Sequence, residues 1–82
     1  MATQTTDIRR WLAAAPVGST HMVVATDTFD YEDFPVYVGV GEDVGAKVAA
    51  YSDPNRMLKV MEVYDLRLPI EDQLKEFRAW HL

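Results

Sequence analysis

Six carboxylates fall within residues 21–46, namely Asp27, Asp30, Glu32, Asp33, Glu42 and Asp43, and no Lys or Arg accompanies them. Carboxylates at this density can hold a divalent cation, serve as general acid and base, or present negative potential to a basic partner. Residues 1–20 carry one net positive charge, and residues 47–82 balance six acids against six cations. The formal charge of -5 is therefore the property of the central segment.

The spacing argues against the first two chemistries. An EF-hand loop needs oxygens at alternating positions, a central Gly and a closing Glu. Asp27, Asp30, Glu32 and Asp33 have neither that spacing nor that Gly. Two of them could hold Mg²⁺ or Mn²⁺ in a metal-dependent enzyme, but no phosphate-binding loop accompanies them. The aromatics Phe29, Tyr31 and Phe34 are interleaved with these acids. Exposed, such rings suit an Arg-rich protein surface; folded inward, they are core. The expected partner-binding set is Asp27, Phe29, Asp30, Tyr31, Glu32, Asp33, Glu42 and Asp43. A merely solvated acidic loop is the plain alternative.

Other chemistry-bearing residues are sparse. Gly39 and Gly41 form a Gly-x-Gly, but position 44 is Val where a dinucleotide fingerprint needs a third Gly. Glu42 and Asp43 would also repel a phosphate there. These glycines read as strand exit and helix start. His21 and His81 are the only imidazoles. Ser19 and Thr20 adjoin His21 without a nucleophile elbow. His21 reads as a strand-start residue with a satisfied ring, and His81 as a helix-end cation or packing group. No catalytic residue, metal or cofactor is expected.

Periodicity supplies the framework on which these residues sit. Ile8, Trp11, Leu12 and Ala15 share one helical face, with Thr6 as N-cap and Asp7 in the first turn, so a helix is predicted over 7–15 after a frayed tail at 1–5. Residues 21–26 are apolar and β-branched at their centre, which predicts a strand buried on both faces. Residues 27–34 read as a connection and 35–40 as a second strand opening on Pro35, the two strands forming a hairpin. Val44, Val48 and Tyr51 predict a helix closed by the Ser-Asp-Pro-Asn run at 52–55. Residues 57–64 fit a strand better than a helix. Pro69 suits the start of a last helix with Ile70, Leu74, Phe77 and Trp80 on its apolar face. The expectation is one α+β domain over 1–82, in the order α-β-β-α-β-α. A parallel crossover between the second and third strands would give a small three-stranded mixed sheet packed against helices.

Size and composition bound the rest. Eighty-two residues without cysteine must build their core by packing alone, and 49% apolar residues permit it. Trp11, Phe77 and Trp80 read as core, with a homodimer face as the alternative. No apolar run reaches the roughly 20 residues of a membrane span, and the N-terminus has no secretory pattern. A soluble cytoplasmic protein is expected. An acidic chain would be repelled by bare nucleic acid and by anionic membranes.

The run from Thr20 to Val38, continued by Gly41, Glu42, Asp43 and Val44, by 60–66 and by 78–81, resembles a group of small uncharacterised proteins of tailed bacteriophages and prophages. The likeness spans most of residues 7–82. It implies a setting, an accessory product inside an infected bacterium, and no site residues. The expected function is a non-enzymatic phage accessory protein that binds a basic host or phage protein through its acidic surface. The alternatives are a carboxylate-based, divalent-metal-dependent enzyme and an oligomeric assembly protein.

Overall fold

The computed structural model describes residues 5–82. Its elements are α1 (Thr5–Ala13), β1 (Ser19–Asp27), β2 (Glu32–Gly39), α2 (Val44–Ala50), a 3-10 turn (Pro54–Arg56), β3 (Leu58–Asp65) and α3 (Ile70–Leu74). The class is α+β and the order is α-β-β-α-β-α, as the sequence predicts.

β1 takes the centre of a three-stranded sheet ordered β2-β1-β3. The reason lies in its residues: every side chain from His21 to Thr26 is buried, so this strand needs cover on both faces. The hairpin sets β2 antiparallel on one edge, and β3 returns antiparallel on the other. The expectation of a mixed sheet is thereby corrected. β2 and β3 do run the same way, but β1 lies between them and they do not pair with each other. α2 carries the chain past β1 from one edge to the other.

Two apolar clusters fill the two faces. Ile8, Met22, Val24, Tyr64 and Ala79 form one, closed by Trp11, Leu12, Tyr37, Leu66 and Leu74 from α1, β2 and the α3 region. Val23, Val38, Val60 and Val63 form the other, closed by Val44, Val48 and Tyr51 of α2 and its end. The alternation along β1 thus divides its side chains between layers. β3 does not alternate simply. Glu62 opposes Val24 and Val60 opposes Ala25, so Met61 is an extra, bulged residue. The bulge lets Val60 and Val63 reach the same cluster, which strict two-residue alternation forbids.

Both terminal helices are displaced from expectation. α1 already includes Thr5, so Thr6 sits inside its first turn and the cap position lies outside the described residues. So does the tail expected over 1–5, except Thr5, which is helical. At its end Ala15 N–H reaches only Leu12 O, at 3.2 Å, and Pro16 comes next. α3 has five residues and stops at Leu74. The chain then turns to the outer edge of β3. Val63 N–H donates to Ala79 O at 2.9 Å, and His81 N–H donates to Val63 O at 3.0 Å. Arg78 Nε and Nη2 donate to the carbonyls of Met61 and Val60 at 2.8 and 3.3 Å, with the guanidinium 4.4 Å from the Trp80 ring centroid. An unpaired strand edge outcompetes a further helical turn. The expected core role of Phe77 and Trp80 is corrected with it: they are 106% and 41% exposed, while Ala79 is buried. Trp11 is half-buried and packs on the core.

Candidate functional site

The candidate site is the hairpin tip, residues 28–31 with the strand ends beside it. Asp27 builds the turn. Its Oδ1 accepts the Phe29 N–H at 2.8 Å and the Asp30 N–H at 3.4 Å. Its carbonyl accepts the Tyr31 N–H at 2.6 Å. An acid here is therefore a scaffold, satisfying amides that a tight turn leaves without partners. The tip is tied to a second turn, for Thr28 N–H donates to Met57 O at 2.8 Å.

Both turns pass through left-handed backbone at a residue with a side chain. Tyr31 and Met57 each have φ of +57°. That conformation costs about 1–2 kcal/mol for an L-residue other than Gly. Both side chains also face outward, with Phe29 72%, Tyr31 66% and Met57 47% exposed. Phe34 behaves differently: half-buried, it meets the Tyr51 ring edge-on at a centroid distance of 6.1 Å. Of the three aromatics in the acidic run, two are presented and one is half-buried against Tyr51.

The acids do not all converge. Asp30 and Glu32 are exposed at the tip, and Asp33 is half-buried beside them. Glu42 and Asp43 lie beyond the far end of β2, whose eight residues put about 25 Å between the groups. They are structural. Asp43 is the N-cap of α2, accepting from Gly45 N–H at 2.9 Å and Ala46 N–H at 3.4 Å. Glu42 accepts the Gly39 N–H at 2.9 Å and pairs with Lys47 at 3.0 Å, and these two contacts, the amide first, hold its carboxyl below the usual range. Gly41, at φ +89°, makes the intervening turn. The glycine pair thus serves strand exit and helix start, as its sequence suggests. Near the tip, Lys59 opposes Thr26 and Arg56 precedes Met57, so the surface there is acidic with a cationic margin.

His21 departs from its sequence reading. It is 5% exposed, and its Nε2 is buried without a hydrogen bond. The ring lies across from Asp65 on β3. His81 pairs through Nε2 with Glu76 at 2.6 Å. The sequence reading also missed Met57, because nothing in the Pro-Asn-Arg-Met run forces left-handed backbone at Met rather than at Asn. It missed Asp65 with Arg67 as well. Their two-residue spacing at a strand end was the available signal, since Asp favours turns that cap the amide two residues on.

Among the described residues, no group of three or more His, Cys, Asp or Glu side chains is placed to hold a metal ion. No described helix is long and apolar enough to cross a membrane. Compared with family models, curated proteins and solved structures, the chain matches none.

Proposed function

We propose that this chain is a non-enzymatic binding module that engages a basic protein surface through its hairpin tip. The observation that carries the reading is the outward placement of Phe29 and Tyr31 on a turn fixed by Asp27, with Asp30 and Glu32 beside them. Solvated acids alone would keep the chain soluble and nothing more. Rings held mostly in water add little to packing, and backbone cost accepted in a turn is a pointer to function. Carboxylates would steer a cationic partner, and the rings would anchor it by burial and by stacking on guanidinium groups. Glu42 and Asp43 belong to the α2 start and drop out of the proposed contact set. The cytoplasmic, phage-infected setting implied by the resemblance is part of the same proposal.

The test uses an arginine-rich peptide and the intact chain, with affinity measured at low and high salt. Asp30→Lys with Glu32→Lys should abolish binding, and Phe29→Ala with Tyr31→Ala should weaken it at every salt concentration. Unchanged affinity in both double variants would refute the reading.

A second reading, self-association, rests on Phe77, Trp80 and Leu82, exposed in the C-terminal segment that bridges to β3 at Trp80. A mass above 9.3 kDa by light scattering, reduced by Phe77→Ser, would favour it.

A further inference from the structure

The end of the sheet opposite the tip holds a charged group of different character. Asp65 is 7% exposed. Its Oδ1 accepts the Arg67 N–H at 2.9 Å and Nε–H at 3.0 Å, and its Oδ2 accepts Nη2–H at 3.1 Å. The Arg67 side chain itself is 63% exposed. On the buried side of the same carboxylate, His21 Nε2 stands 3.7 Å from Oδ2 without making a hydrogen bond.

Thr20 Oγ1 lies 3.3 Å from the Val38 carbonyl and 2.9 Å from His21 Nδ1, and its single proton serves one of the two. The neutral ring carries a proton on one nitrogen, the imidazolium on both. Protonation therefore places an Nε2–H beside Asp65 Oδ2 and turns the 3.7 Å contact into one between opposite charges.

We propose that His21, Asp65 and Arg67 form an acid-operated latch, in which protonation of the His21 ring draws Asp65 Oδ2 from Arg67 Nη2 and loosens the guanidinium, leaving it held at Oδ1 alone. The charged groups acting on the ring are Asp65 and Arg67. β1 and β2 contribute the neutral Thr20 and Val38, and Glu42 and Lys47, where the chain enters α2, are paired with each other at 3.0 Å. Burial holds the His21 imidazole below its ordinary value; Asp65 pulls it up and Arg67 pushes it down. The latch lies at a structural junction. The Asp65 N–H donates to Gln73 Oε1 and its carbonyl accepts from Gln73 Nε2, both at 2.8 Å, so the same residue docks α3.

The experiment is a ring-resonance titration of the intact chain by NMR from pH 8 to pH 4.5, following the Arg67 Nε–H in parallel. His81 is the only other imidazole, so two ring signals are to be assigned. The expected result is a His21 midpoint below the ordinary imidazole value, with the Arg67 Nε–H signal shifting at that midpoint. Arg67→Ala should move the His21 midpoint up, and Asp65→Asn should move it down. An Arg67 signal that stays constant through the His21 titration would overturn the proposal. So would a His21 midpoint unmoved in folded Arg67→Ala, whose replaced side chain is 63% exposed.

Discussion

Asp27 and Asp65 end neighbouring strands, and each accepts the amide two residues on, yet they organise opposite kinds of surface. Around Asp27 the turn projects Phe29 and Tyr31 into water, passes through left-handed backbone and leaves Asp30 and Glu32 exposed. Around Asp65 the carboxylate is enclosed, doubly held by Arg67, and joined to α3 through the buried Gln73. The same local motif therefore builds a presented tip at one end and a fastened junction at the other. The difference arises from the residues on the C-terminal side of each Asp. Aromatics and acids succeed Asp27, whereas Asp65 has Arg67 two residues on and Gln73 of α3 eight residues on. The tip is the end that exposes its aromatic side chains.

That contrast makes stability and binding separable. The largest effect is expected at the junction. Gln73→Ala removes the partner of a buried amide and should cost about 1–3 kcal/mol by chemical denaturation. A loss below about 0.5 kcal/mol would mean that α3 does not depend on this clamp.

Acid should act at the same end. His21 is held below its ordinary value, so the unfolded chain binds the proton more readily than the folded one. Stability is then fully present above about pH 6.5 and falls as the pH drops through that value. Glu42, Asp65 and Glu71 are held low by their partners, so their contributions fade only at more acid pH, below the ordinary carboxylate range. Thermal melts of His21→Gln should lack the upper of these two losses.

At the tip, relief of strain should outweigh loss of packing. Met57→Gly removes a side chain from left-handed backbone and should raise stability by up to about 1 kcal/mol. A destabilised Met57→Gly would show that its side chain packs more than it strains. The smallest stability effect is expected for Phe29→Ala, within about 0.5 kcal/mol of the parent, because its ring is 72% exposed. The same variant should nevertheless weaken binding of an arginine-rich peptide.

Much of the architecture is legible in the residues. The apolar run at 21–26 is the doubly buried strand, Pro35 and Val36 lie in its hairpin partner, and Asp43 begins α2 as an acid-led helix start should. What was hidden is long-range. β1's place between β2 and β3 depends on which edge β3 pairs with, which no local pattern encodes. The early end of α3 stems from the open edge of β3, invisible until the sheet exists. Of the candidate site, the interleaved acids and aromatics pointed to the tip. Their shared negative charge also drew in Glu42 and Asp43, since charge along a chain carries no information about which end of a strand it occupies.

The most direct test is a backbone amide spectrum of the intact chain titrated with an arginine-rich peptide at low salt. Shifts confined to residues 27–33 and the neighbouring 56–59, reversed at high salt, are the expected result. Shifts centred on 40–47 or on 75–82, with the tip silent, would contradict the account.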